Sequence, residues 1–181
     1  MNNRGLDTLR TELILGGARS GKSSFAELQA TESGKNVIYI ATATAGDDEM
    51  VKRIARHQLD RPANWQVVEE PIDLAGAIRT YDHPDSCLLI DCLTLWLTNC
   101  LFNDDFTVDW LSQKADLLSA LSSVTGHVIL VSNEVGQGIV PMGEMSRRFV
   151  DESGWLHQAI AKQVDRVTFV TAGLPQRLKD S

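Results

Sequence analysis

The sequence predicts an α/β fold in which helices cover both faces of a mostly parallel sheet. Two observations lead to this prediction. Short runs of apolar, often β-branched residues alternate with longer segments of helical periodicity along the chain. Several of these runs, such as 37–41 and 87–90, are apolar at every position, which is typical of strands covered on both faces.

The predicted elements follow one another in regular alternation. Strands are predicted at 13–15, 37–41, 65–68, 87–91, 127–131 and, as the last strand, 167–171. Helices are predicted at 22–32, 47–59, 72–81, 93–101, 108–121 and 144–164. Ligands of such sheets bind beyond the carboxyl ends of the strands. The residues expected at that edge are Gly16, Thr42, Asp91 and Asn133.

Length and composition indicate the domain number of the protein and argue against some classes of function. The chain has 181 residues, of which 43% are hydrophobic and 23% charged, so we expect one domain over 11–181 after a flexible tail at 1–10. A net charge of −7 argues against a broad nucleic-acid-binding face. No apolar stretch approaches the roughly 20 residues of a transmembrane helix. We expect Cys87, Cys92 and Cys100 to be reduced core residues of a cytoplasmic protein.

Residues 16–23 read G-G-A-R-S-G-K-S and match the phosphate-binding pattern G-x-x-x-x-G-K-[ST]. The glycines let successive backbone N–H groups point at phosphate oxygens, and the following helix adds its positive end. Lys22 would reach the β- and γ-phosphates, and the Ser23 hydroxyl would ligate Mg²⁺. A chance match is rare and would seldom fall between an apolar strand and a helix. We therefore predict a P-loop NTPase-like (RecA-like) fold and a phosphotransferase that binds ATP or GTP.

Asp91 is the candidate second half of this site. A carboxylate at the end of a buried strand beside the loop can hold Mg²⁺ directly or through water. The alternative is an ordinary aspartate that caps the helix predicted to start at Leu93. A GTP-regulated switch is not expected, because no N-K-x-D motif occurs and the D-x-x-G at 151–154 lies near the C-terminus.

The segment 47–62 carries a histidine with two interpretations. At helical spacing Met50, Ile54 and His57 share one face, so His57 could be a packed, hydrogen-bonded core residue. Alternatively, a neutral imidazole is a good nucleophile toward phosphorus. Arginines 53, 56 and 61 could then neutralise phosphate charge, although a solvated basic face is equally consistent with them.

Several motifs together resemble one family, the bifunctional adenosylcobinamide kinase/adenosylcobinamide-phosphate guanylyltransferases of cobalamin biosynthesis. They are G-G-A-R-S-G-K-S at 16–23, Y-I-A-T-A at 39–43 followed by D-D-E-M at 47–50, R-I-x-x-H at 53–57, R-P-x-x-W at 61–65, N-E-V-G-Q-G-I-V-P at 133–141, R-x-F-x-D-x-x-G-x-x-x-Q at 147–158, and G-L-P at 173–175. The resemblance covers about 12–175, and the 133–141 motif is the most specific.

The resemblance implies two reactions at linked sites. ATP or GTP phosphorylates the hydroxyl of adenosylcobinamide, and GTP then transfers GMP to that phosphate with release of pyrophosphate. The second reaction passes through a guanylylated histidine, and the matching position is His57. It also suggests a homotrimer. Because the helix that carries His57 must approach the α-phosphate, we predict that the 47–62 segment is mobile. The loop at 134–138 would face the corrinoid or a neighbouring subunit, or would be only a tight structural turn.

The resemblance also assigns nucleotide contacts, with less certainty away from the loop. They are Gly16, Gly17, Ala18, Arg19, Ser20, Gly21, Lys22, Ser23, Thr42, Ala43, Thr44, Gln58, Leu59, Asp60, Arg61, Glu69 and Asp91. Lys22 and His57 are the expected catalytic residues, and Ser23 with Asp91 the expected Mg²⁺ ligands. Two other classes stay open: a small-molecule P-loop kinase without a covalent step, and a non-catalytic nucleotide-binding module.

Overall fold

The computed structural model describes residues 9–43, 62–103 and 107–180. The strands are β1 (Thr11–Gly16), β2 (Asn36–Ala41), β3 (Gln66–Glu69), β4 (Ser86–Asp91), β5 (His127–Asn133), β6 (Arg166–Thr171) and β7 (Leu174–Asp180). The helices are α1 (Lys22–Glu32), α2 (Leu74–Tyr81), α3 (Leu93–Leu101), α4 (Trp110–Ser122) and α5 (Glu144–Gln163). Every predicted element within the described residues is present, whereas the helix predicted at 47–59 lies outside them.

The seven strands form one sheet in the order β3-β2-β4-β5-β1-β6-β7. The first six pair in parallel, as predicted, and β7 pairs antiparallel with β6. Strand β5 therefore lies between β1 and β4, with Gly16 opposite Asn133 and Asp91 opposite Val131. This order brings the ends of β1, β5 and β4 side by side at one edge of the sheet.

The central strands bury side chains on both faces. Leu13 packs in one core, which also contains residues of α2, α3, α4 and α5. Its neighbour Ile14 packs in the other core, with Ala26 and Ala30 of α1. Successive side chains of a strand point to opposite faces, so a strand covered on both faces must be apolar at every position. This explains the continuous apolar runs of the sequence.

The expectation that 167–171 is the last strand is wrong, because β7 follows it and is an outermost strand of the sheet. Most of β7 is exposed, so its sequence has no apolar run that would predict a strand. Its backbone pairs with β6, and Lys179 Nζ donates to the Ala161 carbonyl at 3.2 Å, near the end of α5. A cation at this position also interacts favourably with the negative end of the helix dipole.

The three cysteines are buried and free, as predicted. Burial raises the pKa of Cys87 to about 11 and that of Cys100 to about 12, so both thiols stay protonated at neutral pH. In the part of the chain that the structure describes, no helix is long and apolar enough to cross a membrane.

Candidate nucleotide site at the carboxyl edge of the sheet

The loop between β1 and α1 curls because two of its residues adopt positive φ. Arg19 has φ 56° and Gly21 has φ 93°, and the Ser20 N–H donates to the Gly17 carbonyl at 3.2 Å. The Gly173 N–H donates to the Ser20 carbonyl at 2.8 Å, which fixes the loop against the β6–β7 turn. A Cβ at Gly21 would lie only 3.0 Å from the Gly173 Cα, so glycine is required there by both conformation and space.

The loop leads into the N-terminus of α1, where no side chain caps the first N–H groups of the helix, so they can bind a ligand. Gly21 is the N-cap, and the helix has neither a side-chain cap nor an acidic residue in its first turn. Free N–H groups and the helix dipole together favour an anion at this position. The Lys22 side chain folds back over the loop, with Nζ 3.4 Å from the Gly17 carbonyl, and Lys22 is 9% exposed. Backbone donors and one cation thus converge where a phosphate would bind.

Asp91 ends β4 two strands away from this loop. Its Oδ2 accepts a hydrogen bond of 3.1 Å from the hydroxyl of buried Tyr39, which leaves Oδ1 suitable as a cation ligand. Asp91 does not cap the next helix: the N-cap of α3 is Cys92, and that cap has no side-chain hydrogen bond. The helix-capping interpretation of Asp91 is therefore wrong.

The donor chemistry of this edge fits Mg²⁺. The ion prefers oxygen ligands, takes one or two carboxylates or hydroxyls from the protein, and completes its shell with phosphates and water. Ser23 in the first turn of α1 and Asp91 at the end of β4 supply such oxygens. Within the described ranges no cluster of three or more His, Cys, Asp or Glu residues occurs, so a cage made only of protein ligands is not found there.

The structure gives Thr42 a structural role. Its hydroxyl donates to the Cys92 carbonyl at 2.7 Å and accepts from the Cys92 N–H at 2.9 Å, and its carbonyl accepts from Asn99 Nδ2 at 2.9 Å. These bonds tie the residue after β2 to the N-cap of α3 and to Asn99 near the end of that helix, and Ala43 follows directly. Nucleotide contact at Thr42 and Ala43 stays a prediction.

Glu69 lies at the end of β3, where the sheet registers place Ala41 of β2 between it and Asp91. With neighbouring strands about 4.8 Å apart, the two carboxylates lie on the same edge, about 10 Å apart at their backbones. Glu69 is exposed and thus accessible to a ligand. His57, Thr44, Gln58, Leu59, Asp60 and Arg61 lie outside the described residues, so their roles stay predictions.

The structure also reveals a buried polar group that the sequence did not indicate. Ser132 of β5 and His157 of α5 are joined by a hydrogen bond of 2.7 Å between Oγ and Nε2. The other ring nitrogen, Nδ1, lies 3.8 Å from a carboxylate oxygen of Glu134. Ser132 and His157 are 25 residues apart in the sequence and meet only in the folded structure, so no local pattern predicts their contact.

Solved structures with a similar architecture show the fold class. The chain is similar to the RadB recombinase, with a TM-score of 0.51, 14% identity, and coverage of 92% of this chain and 80% of that one. It is also similar to the flagellar accessory protein FlaH of Methanocaldococcus jannaschii, with a TM-score of 0.52, 14% identity, and coverage of 95% and 79%. Together with the sheet order and the glycine-rich loop, this likeness shows a P-loop NTPase-like fold.

Sequence relatives identify the family. The family model described as cobinamide kinase / cobinamide phosphate guanyltransferase matches residues 12–178. The bifunctional adenosylcobalamin biosynthesis protein CobP of Pseudomonas aeruginosa is 58% identical over 169 residues, covering 93% of this chain and 96% of the relative. CobU of Escherichia coli is 36% identical over 179 residues, covering 92% and 98%. The chain belongs to this family and is an enzyme with both activities in the family's description.

Proposed function

We propose that this enzyme phosphorylates the hydroxyl of adenosylcobinamide with ATP or GTP and then transfers GMP from GTP to the new phosphate. The products of the second reaction are adenosylcobinamide-GDP and pyrophosphate. One observation supports the proposal above the others: the family match spans 12–178 and includes the curled loop at 16–23, whose sequence matches the phosphate-binding pattern.

In the kinase step the cradle positions the nucleotide and stabilises developing charge. The N–H groups at the start of α1 hold the phosphates, and Lys22 balances charge on the transferring γ-phosphoryl group. Ser23 and Asp91 would hold Mg²⁺, which when bound neutralises charge on the β- and γ-oxygens. Tyr39 orients Asp91 for that role through its hydrogen bond to Oδ2.

In the second step His57 is the proposed nucleophile. Its imidazole nitrogen forms a bond to the α-phosphorus of GTP while the bond to pyrophosphate breaks. The phosphate of adenosylcobinamide phosphate then attacks the same phosphorus, and the imidazole leaves. The support for His57 is the R-I-x-x-H motif at 53–57 and the family match, since these residues lie outside the described part of the chain.

Assembly and location complete the proposal. We propose a homotrimer in the cytoplasm, on the resemblance to the family and the reduced, buried state of the three cysteines. Sedimentation of the purified enzyme measures the first property. A mass of three 19.9 kDa chains supports it, and a stable monomer contradicts it.

The experiment that tests the covalent step is incubation with GTP labelled at the α-phosphate. We expect acid-labile, base-stable label on the parent protein and none on His57→Asn, which keeps its kinase activity. His83→Asn is the matched control, because His83 is an exposed histidine that pairs with Asp85 before β4, at the opposite edge of the sheet. Label that persists on His57→Asn, or GMP transfer by it near the parent rate, would show that His57 is not the nucleophile.

A further inference from the structure

The first residue after β5 occupies a special position at the edge of the sheet. Because β5 lies between β1 and β4, Glu134 emerges between the phosphate cradle and Asp91. Its N–H donates to the Gly16 carbonyl at 3.0 Å, so its backbone is fixed to the first residue of the cradle. Adjacent strands are about 4.8 Å apart, so Glu134 starts within one strand spacing of both halves of the nucleotide site.

The Glu134 carboxylate is partly buried and oriented from two sides. Its Oε1 accepts a hydrogen bond from the Gly136 N–H, and its Oε2 lies 3.8 Å from His157 Nδ1. The side chain is 22% exposed, so one part of the carboxylate still faces solvent. Among the residues that the structure describes, no lysine or arginine forms an ion pair with it. Part of the carboxylate therefore remains accessible to a ligand.

The His157 ring is held in place by burial and by a hydrogen bond to Ser132. It is 6% exposed, and its Nε2 lies 2.7 Å from the hydroxyl of fully buried Ser132. Burial lowers the pKa of His157, against the opposing charge of Glu134, so the imidazole is neutral at neutral pH. The charge of Glu134 favours the tautomer with the proton on Nδ1, because the Nδ1 lone pair would otherwise face a carboxylate. Ser132 then donates to Nε2, and the Nδ1–H is directed at Glu134.

A purely structural role for this group explains less. If Glu134 served only to close the turn, its bond to the Gly136 N–H would suffice. The buried His157 Nδ1, which has no hydrogen-bond partner in this structure, would then have no reason to face Glu134. Buried polar groups are nearly always paired, so an unpaired N–H aimed at a carboxylate 3.8 Å away indicates a pair that closes after a small movement.

We propose that Glu134 is the general base of the kinase step and that His157 is the residue that positions it. This inference rests on the proposed phosphorylation of a hydroxyl. The hydroxyl oxygen forms a bond to the γ-phosphorus, the bond from that phosphorus to the β-phosphate oxygen breaks, and the nucleoside diphosphate leaves. The hydroxyl proton passes to a Glu134 oxygen, which returns it to solvent through its exposed part.

The first test separates the two activities in Glu134→Gln. Glutamine keeps an acceptor for the Gly136 N–H and cannot take the proton. We expect the kinase kcat to fall about 10²-fold or more. The ratio of kinase activity to GMP transfer onto ready-made adenosylcobinamide phosphate should fall by a similar factor, with nucleotide affinity retained. An unchanged ratio would overturn the proposal, and absence of kinase activity in the parent would instead refute the proposed function.

The second test uses a matched pair at His157. Asn places an amide N–H near the position of Nδ1 and loses the bond to Ser132, whereas Gln reaches Ser132 and loses the N–H directed at Glu134. We expect His157→Gln to lower the kinase kcat about tenfold or more, since misplacement by about 1 Å costs up to 10²-fold. His157→Asn should lower it much less. The reverse order would show that His157 acts only through packing with Ser132.

Discussion

Gly21→Ala is the sharpest structural perturbation of the phosphate cradle. Gly21 has φ 93°, a conformation that costs a residue with a side chain about 1–2 kcal/mol. The added Cβ would also lie 3.0 Å from the backbone Cα of Gly173, and no flexible side chain can yield there. The two effects together should lower the free energy of unfolding by about 2–3 kcal/mol, mostly from backbone strain.

This cost can be measured by thermal unfolding. For a chain of this size 1 kcal/mol corresponds to about 2–4 °C, so we expect Tm to fall by about 5–10 °C. The strain also displaces the bond from the Gly173 N–H to the Ser20 carbonyl, and with it the loop donors. Loss of one charge-assisted hydrogen bond to phosphate would weaken ATP binding about tenfold or more.

Gly154→Ala is the matched control, since Gly154 lies inside α5 with open space around its Cα. Alanine there should raise the free energy of unfolding by about 0.5–1 kcal/mol and leave nucleotide affinity unchanged. If Gly21→Ala matches Gly154→Ala in Tm and binds ATP as the parent does, the reasoning about the loop is refuted.

Two further predictions concern hydrogen bonding and pH. Tyr39→Phe removes the hydrogen-bond donor to Asp91 Oδ2. We expect the Mg²⁺ concentration needed to tighten binding of a fluorescent nucleotide to rise about tenfold. An unchanged Mg²⁺ dependence would contradict the role of Asp91. Burial lowers the pKa of His127 from 6.5 to about 4, so the unfolded chain takes up a proton that the folded protein excludes. His127 alone should contribute a loss of stability of about 3 kcal/mol as pH drops from about 6.5 to about 4. In urea titrations the loss should be smaller by that amount in His127→Leu, which keeps the contribution of buried His157.

Much of the fold could be predicted because the central strands are covered on both faces. That burial favours apolar side chains at 37–41 of β2 and at 87–90 of β4, which makes these strands recognisable in the sequence. Strand β7 is an exposed outer strand, so burial does not require apolar residues in it. Its position depends on pairing with β6 and on the contact of Lys179 with α5. Its polar sequence resembles that of a loop.

The site divides in the same way. The loop at 16–23 and Asp91 could be predicted because local sequence determines both the turn and the strand end. The Ser132–His157 bond could not, since it depends on how α5 packs on β5. Buried Thr42 is a similar case: its hydroxyl makes both of its hydrogen bonds to the backbone of Cys92, and its carbonyl accepts from Asn99, and both partners are remote in sequence. Local motifs thus predict the candidate site, and packing determines the hydrogen bonds that Ser132, His157 and Thr42 make.

The most direct test of the account is product analysis with one purified chain. The enzyme is supplied with adenosylcobinamide, ATP and GTP, and corrinoid products and pyrophosphate are measured over time. We predict that adenosylcobinamide phosphate appears first and is converted to adenosylcobinamide-GDP, with one pyrophosphate released for each GMP transferred. Nucleotide hydrolysis without a corrinoid product, or phosphorylation with no GMP transfer, would contradict the claim that this P-loop fold carries out both reactions.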